Sequence, residues 1–296
     1  MPQTSTTVNL SSAMKRTITA ARYTAEHNAV ASRFVTTFKL DDGNDRVISP
    51  KVGQFTLQNL SEGVDISNEQ AIGMSTVTLT TGEVGGKIII TDVLERRNGT
   101  TDVYRMIGKQ FGDAEARKKD TDIHAFYSAL NGGTTYGLAT VALSVGNLMA
   151  MVAKGRGKNP PFRATYAVFH PHQTFGFATS ATIAGMRTGS TSRMANINDE
   201  EERKIMSKWW KWDVAGCSVY EDGNLTADSS SDYTGVVAEE GALYMITSRE
   251  YRQKTDEDIS LRAKEVVVVA DYGVGELDDT LGAGAQFDGN APSDSL

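Results

Sequence analysis

The chain has 296 residues, of which 40% are hydrophobic and 23% charged, a composition that excludes disorder, a collagen-like repeat and a disulfide scaffold. Its net charge of -7 argues against a basic coat for nucleic acid. The charge is uneven, because residues 1–40 carry a net charge of +4 and residues 221–296 a net charge of -12. A basic arm and an acidic end favour self-association at least as readily as binding of an anionic ligand.

The cysteine content and the hydropathy indicate a reducing compartment. Cys217 is the single cysteine, and the residues after Met1 are polar, so the sequence predicts neither an internal disulfide nor a secretory signal. The charge-free stretch 131–153 is interrupted by polar residues and glycines. We therefore interpret it as a loop entering a buried helix rather than as a membrane span.

The N-terminal third predicts a helix followed by a long hairpin. Apolar residues at helical spacing predict an arm helix over 17–38. Alternating or β-branched residues then predict strands at 55–57, 76–80 and 87–94. Polar sequence with three acids, Glu62, Asp65 and Glu69, lies between them. This pattern predicts a hairpin excursion that ends near the Asn98–Gly99 turn.

A long helix is predicted over 101–130, because this stretch contains no proline and is followed by Asn131-Gly132-Gly133. At 1.5 Å per residue it would be about 45 Å long. Its apolar residues change face along its length, so we expect its two ends to be buried differently, with a solvated middle carrying the i,i+4 pairs Asp113/Arg117 and Lys118/Asp122. We interpret it as a spine helix.

Short elements without a regular βαβ rhythm follow, which predicts a mixed α+β fold. They are a helix from 144 to about 157, a strand at 165–170, a helix starting at the acids 199–202, a strand at 216–220 with a turn at 222–224, strand or mixed structure at 236–247, and one strand or a strand pair at 259–270. Val266 to Val269 show no alternation, which predicts burial on both faces.

Motifs for catalysis or cofactor binding are weak. The glycine pairs at 155–157, 273–275 and 282–284 lack the third glycine of a dinucleotide loop, and we interpret them as turns and helix ends. Residues 41–45 lack the frame of a calcium loop. His170 and His172 offer two imidazoles without an apparent third metal ligand, so a structural corner is favoured. Cys217 has no catalytic signature around it and is more typical of packing.

The sharpest local feature is Lys208-Trp209-Trp210-Lys211-Trp212. Aromatic residues interleaved with lysines can stack on bases or lie at a membrane surface. No wider basic patch joins them, so a helix end that buries two tryptophans is the favoured interpretation.

The order of these elements resembles the tailed-bacteriophage major capsid proteins of the Hong Kong 97 type. Four segments carry the resemblance: FKLDDGNDRVISPKVGQFTLQNLSEGVDIS at 38–67, DVYRMIGKQFGDAEARKKDTDIHAFYSAL at 102–130, ATYAVFHPHQ at 164–173 and ISLRAKEVVVVADYGVGELDD at 259–279. They occur in the family's order and span nearly the whole chain.

The resemblance implies a structural protein without catalytic, cofactor or metal sites. The implied parts are an N-terminal arm (1–46), an extended loop (47–95), a peripheral domain (96–135 and 250–296) with the spine helix 101–130, and an axial domain (136–249). The chain would form hexamers and pentamers of an icosahedral shell around double-stranded DNA, contacted weakly, in a virion assembled in the host cytoplasm. Its other partners would be scaffolding, portal and decoration proteins, with no membrane. Candidate contacts between subunits are Glu62, Asp65, Glu69, Arg16 and Arg22.

Two alternatives from other classes remain open. One is a hydrolase that uses Cys217 or His170, and the other is a nucleic-acid-binding module that uses residues 15–39 and the Trp209–Trp212 cluster. Particle size separates the first from a shell protein, and salt dependence separates the second.

Covalent maturation is not expected. Only a short polar tail precedes the predicted arm helix, so the mature chain should keep nearly all of its 32.0 kDa. The lysines between 47 and 95 are Lys51 and Lys87, both near the base of the hairpin. We therefore expect non-covalent contacts alone to hold the shell.

Overall fold

The computed structural model describes residues 29–41, 46–54, 57, 59, 62–63, 73–98, 100–176 and 210–289. Most of the predicted arm helix, the outer hairpin and the predicted helix at 199–202 lie outside these residues. Twelve described strands, numbered β1 to β12 in chain order, form three sheets. The mixed α+β class predicted from the sequence is confirmed.

A four-stranded sheet joins distant parts of the chain in the order β1-β10-β11-β4. Its strands are β1 (Thr36–Lys39), β4 (Gly82–Thr91), β10 (Leu243–Asp258) and β11 (Ala263–Glu276). β1 runs parallel to β10, and the other two pairs are antiparallel. The predicted strand at 259–270 is therefore partly wrong, because 259–262 form the turn between the two longest strands.

β1 corrects the predicted C-terminal end of the arm helix. Residues Ala31–Arg33 form a short 3₁₀ turn, and the chain is extended from Thr36. Two β-branched threonines followed by an aromatic residue suit a strand, and pairing with β10 satisfies their backbone groups. The helical spacing of the apolar residues did not reveal this distant partner.

The valine run in β11 is buried on one face. Val266 and Val268 are buried, whereas Val267 and Val269 are half-buried. The prediction of burial on both faces is therefore wrong. Val266 packs in a core cluster with Ile90, Leu94 and Ile107, on one side of the sheet.

A hairpin is present in the predicted segment, but its first strand is not the predicted 55–57, of which the structure describes Leu57 alone, outside any strand. β2 (Arg46–Val52) pairs antiparallel with β3 (Met74–Thr80) over seven residue pairs. β4 follows but ends at Thr91, three residues before the predicted end. Helix α1 (Asp92–Asn98) begins there, and the Thr91 hydroxyl accepts a hydrogen bond from the Leu94 N–H in its first turn.

The predicted spine helix is α2 (Thr100–His124), which has 25 residues and ends six residues earlier than predicted. Turns continue to Asn131, Gly132 and Gly133, all three of which have positive φ angles. The change of face is confirmed. Near the start, Ile107 packs with β4 and β11, whereas Ile123 at the end belongs to a separate core.

The second body is a six-stranded sheet in the order β5-β12-β9-β6-β8-β7. Its strands are β5 (Tyr136–Ala142), β6 (Tyr166–Phe169), β7 (Trp210–Val214), β8 (Cys217–Glu221), β9 (Tyr233–Ala238) and β12 (Gly282–Asp288). Helix α3 (Val145–Arg156), capped by Ser144, contributes Leu148, Met151 and Val152 to the core on one face. β12, the last strand in the described part of the chain, thus returns to this sheet.

Two predictions change in the second body, and a third changes in β11 of the four-stranded sheet. The loop predicted before α3 contains strand β5. Trp210, Lys211 and Trp212 lie in the edge strand β7 rather than at a helix end, because this segment pairs with β8. Gly273 lies inside β11, where a Cβ atom would come within 1.8 Å of the Thr80 carbonyl oxygen. That glycine permits a close approach of the β3–β4 connection and is not a turn residue.

Candidate functional site

The base of the hairpin has one packed face and one exposed apolar face. Val47, Val77 and Leu79 alternate along β2 and β3 and pack against Leu40 and Ile246. The opposite face carries apolar side chains into solvent. Ile48 is 58% exposed, Val52 61% and Met74 64%, and Val52 and Met74 are directly paired across the strands.

Exposed apolar side chains that cluster on a two-stranded ribbon are typical of a surface that another molecule covers. A two-stranded hairpin is also only marginally stable by itself. The exposed face of β2 and β3, defined by Ile48, Val52 and Met74, is therefore the first candidate site, and we call it the hairpin face. The sequence predicted the hairpin but not these contact residues.

The predicted contact residues are mostly not placed by the structure. Glu62 lies in an exposed turn. Asp65, Glu69, Arg16 and Arg22 lie outside the described residues, so their contacts remain predictions.

The geometry gives no support to a nucleophilic Cys217. Its thiol is fully buried in the core between α3 and the six-stranded sheet. Burial raises the pKa of the thiol to about 12, so it is protonated at neutral pH and is not a thiolate nucleophile.

His170 belongs to a stacked corner. Its ring lies 3.7 Å from the Tyr233 ring, centroid to centroid and nearly parallel. Its Nδ1 accepts a hydrogen bond from the backbone N–H of His172 at 3.2 Å. These contacts agree with the structural corner favoured from the sequence and direct Nδ1 to the backbone rather than to a metal.

A second candidate site is buried and was missed in the sequence. It contains Asp120 and His124, one turn apart on α2, and Asp222, which follows β8. His124 Nε2 lies 3.4 Å from Asp222 Oδ2 and 3.6 Å from Asp120 Oδ2. We call these three residues the Asp–His–Asp cluster.

Backbone and amide donors hold both carboxylates of the cluster. Asp120 Oδ1 accepts the Ala31 N–H at 2.9 Å, and its Oδ2 accepts the Asn224 side-chain amide at 3.0 Å. Asp222 accepts the Asn224 backbone N–H at 2.9 Å and the Val30 N–H at 3.4 Å. The cluster therefore joins the N-terminal segment, the spine helix and the six-stranded sheet.

Within the cluster, Asp120 has an unusual pKa for an acid on a helix. Burial, and then the hydrogen-bonded carboxyl of Asp222, raise the pKa of Asp120 to about 7. The expectation of a solvated middle is thus wrong at Asp120, although Lys118 and Asp122 do form the predicted ion pair. The i,i+4 spacing of Asp120 and His124 is visible in the sequence and could have indicated a pair on one helix face. The third member, Asp222, lies about 100 residues later, and no local pattern connects it to them.

Comparisons with known proteins reveal relatives by structure only. No protein-family model matches the sequence, and no curated protein does. Among the helices that the structure describes, none is long and apolar enough to cross a membrane.

Solved phage capsid structures match nearly the whole chain. The capsid of Cyanophage P-SCSP1u is 15% identical with a TM-score of 0.65, covering 95% of each chain. The capsid of Helicobacter pylori bacteriophage KHP30 is 13% identical with a TM-score of 0.67, covering 88% of this chain and 90% of that one. The capsid of Cyanophage Pam1 is 10% identical with a TM-score of 0.67, covering 95% and 98%.

The chain therefore has the mixed α/β fold of phage capsid proteins. The resemblance to the Hong Kong 97 type drawn from the sequence is confirmed at the level of the fold.

Proposed function

We propose that this protein is the major capsid protein of a tailed phage, which self-assembles into an icosahedral shell enclosing double-stranded DNA. The observation that carries the proposal is the alignment of 95% of the chain with 95% of a phage capsid subunit. Agreement over the full length leaves little of either chain for an added catalytic domain. The protein would accordingly be found in the virion capsid, after assembly in the host cytoplasm.

The hairpin face supports self-assembly. Its exposed side chains, Ile48, Val52 and Met74, lie on a ribbon whose other face is already packed. Covering them with a neighbouring subunit removes apolar area from water, at roughly 25 cal/mol per Å². A closed shell repeats that contact at every subunit.

We infer that the family's division of the subunit applies with one adjustment. The arm is residues 1–46, the extended loop 47–95, the peripheral domain 96–135 and 250–296, and the axial domain 136–249. Support comes from the two separate sheets, one beside the start of α2 and one beside its end. Residues 282–288 join the axial domain, since β12 pairs with β5 and β9.

Contacts with the packaged DNA are proposed to be weak and non-specific. The acidic C-terminal part, with a net charge of -12 over 221–296, repels phosphate, and a container must release its genome. Scaffolding, portal and decoration proteins are the further partners that such a shell would have.

The test is the size of the assembled product. The full chain, expressed with and without a cognate scaffold, should sediment as capsomers or megadalton particles that negative-stain microscopy shows as rings or closed shells. A monodisperse monomer under all assembly conditions would contradict the proposal. Retention on DNA that disappears steeply with salt, without particles, would favour the nucleic-acid-binding alternative.

A further inference from the structure

The Asp–His–Asp cluster contains a buried histidine that lacks the hydrogen bonds such a residue normally has. The side chain of His124 is 6% exposed. Neither of its ring nitrogens forms a hydrogen bond within the described part of the chain. Buried polar atoms are nearly always paired. The unpaired imidazole of His124 therefore indicates that a ligand binds beside it.

The distances between His124 Nε2 and the two carboxylates are within the range of an ion pair but longer than those of a charge-assisted hydrogen bond. A charge-assisted bond between an imidazolium and a carboxylate closes to about 2.7–2.9 Å. Here Nε2 stays 3.4 Å and 3.6 Å from the two carboxylate oxygens, and all three atoms lie within 4.8 Å of one another. Ligand atoms bound tetrahedrally at about 2.0–2.1 Å are about 3.3–3.4 Å apart.

The surroundings of the carboxylates are those of metal ligands. Asp120 accepts hydrogen bonds from Ala31 and Asn224, and Asp222 accepts them from Val30 and Asn224. Such outer contacts fix the orientation of the ligating oxygens. Uncharged backbone and amide groups make all of these contacts. None of the contacts therefore brings a lysine or an arginine to the two carboxylates.

We propose that Asp120, His124 and Asp222 bind one divalent transition-metal cation, for which Zn²⁺ is the natural probe. One nitrogen and two carboxylate oxygens suit Zn²⁺, Co²⁺ or Mn²⁺, whereas Ca²⁺ and Mg²⁺ prefer all-oxygen shells. A water molecule would complete the tetrahedron. Binding would use the Nε2 lone pair of His124 and one oxygen of each carboxylate, so the affinity for the cation should fall as the pH falls.

The bound cation would fasten the root of the N-terminal arm. Val30 and Ala31 donate to the same two carboxylates that would hold the metal. The ion would thereby tie the arm root, the spine helix and the six-stranded sheet together. This role does not depend on whether the subunit assembles.

The test measures metal content and thermal stability of the full chain. After loading with Zn²⁺ and dialysis, we expect about one ion per chain, a higher melting temperature than after chelation, and no such effect of Ca²⁺ or Mg²⁺. Loading with Co²⁺ should give the intense visible bands of a tetrahedral site. His124→Ala and Asp120→Asn should lose both the ion and the stabilisation.

Two variants separate loss of the metal from loss of the fold. Asp120→Asn removes a carboxylate ligand but keeps the size of the side chain and one acceptor oxygen, so it should fold even where His124→Ala does not. His172→Ala is the matched control, because that histidine lies in the stacked corner with Tyr233 and should leave metal content unchanged. Wild-type protein that retains no ion and gains no stability from Zn²⁺, or equal loss in His172→Ala, would overturn the proposal.

Discussion

Lys51 on the hairpin is ion-paired with Asp278, near the start of the connection from β11 to β12. The Nζ–Oδ1 distance is 2.5 Å, and Nζ also lies 3.2 Å from the Thr280 hydroxyl. Partial burial works against ionisation of Asp278, but the Lys51 ammonium and the Thr280 hydrogen bonds outweigh it and lower the pKa of this carboxyl. The pair anchors the base of the exposed hairpin to the body of the subunit.

Removing this anchor should affect assembly more than stability. Both side chains are partly exposed, so Lys51→Met should lower the free energy of unfolding by less than about 1 kcal/mol. The yield of assembled particles should fall more than the stability does, because the hairpin is no longer held at a fixed angle to the body of the subunit. Lys118→Met, which breaks an exposed pair on α2, is the control and should leave the yield unchanged.

The effect of Lys51→Met should also depend on pH. Because folding lowers the pKa of Asp278, its ionic contribution is present above the ordinary value of 3.8 and is lost as the pH falls through the folded value. Denaturant unfolding at neutral and at acidic pH measures this. A stability difference that grows on acidification would contradict the assigned role.

Changing the hairpin face should separate folding from assembly. Met74→Glu puts a charge at a position that is 64% exposed, so we expect a change in subunit stability within about 0.5 kcal/mol. Buried against a neighbour, the same charge would block assembly, whereas Met74→Leu should assemble normally. Shortening residues 62–72 should have the same effect as Met74→Glu. Loss of the subunit fold in either case would refute an intersubunit role.

The shell should be free of covalent cross-links. Lys51 is paired with Asp278, and Lys87 with Glu265 at 2.5 Å, so an acid of the same chain already holds each of these two lysines. An isopeptide bond requires a desolvated, neutral lysine beside an Asn or Asp of a neighbour. Boiled particles on a denaturing gel should show no ladder of multimers.

Two glycines should respond oppositely to alanine. In Gly273→Ala the new methyl group meets the Thr80 carbonyl oxygen, so we expect destabilisation of about 1–3 kcal/mol or more. In Gly108→Ala, on α2, the new methyl group meets nothing within 4 Å, and the higher helix propensity should stabilise by about 0.8–1.0 kcal/mol. Chemical denaturation measures both. Equal effects would show that the close approach at Gly273 is not rigid.

Local patterns predicted the elements whose reasons are local. The proline-free run before Asn131, the apolar residues after Ser144 and the alternation at 76–80 each predicted an element that is present, although the spine helix ends six residues earlier than predicted. β1 and β7 were assigned to helices, because what makes them strands is pairing with β10 and β8. Propensity is a weak prior where tertiary pairing decides.

The candidate sites were less predictable than the fold. Cys217 was correctly interpreted as packing, since its apolar neighbours already indicated a core. Asp120 was missed because its burial depends on Ala31 and Asn224, which approach it from other elements. A charged residue that directly follows two lysines looks solvated until the fold is known.

The sheet that holds β1 also dictates when the subunit can finish folding. β1 pairs with a strand about 200 residues later, and β4 with β11 at a similar separation. During synthesis neither β1 nor β4 has its partner until the ribosome has passed β10 and β11. The β10–β11 hairpin is made long after β1 and β4 and then pairs with both of them. This sheet therefore folds late, and the nascent chain carries β1 and β4 unpaired for about 150 residues or more of synthesis, which makes chaperone protection valuable before the first subunits meet.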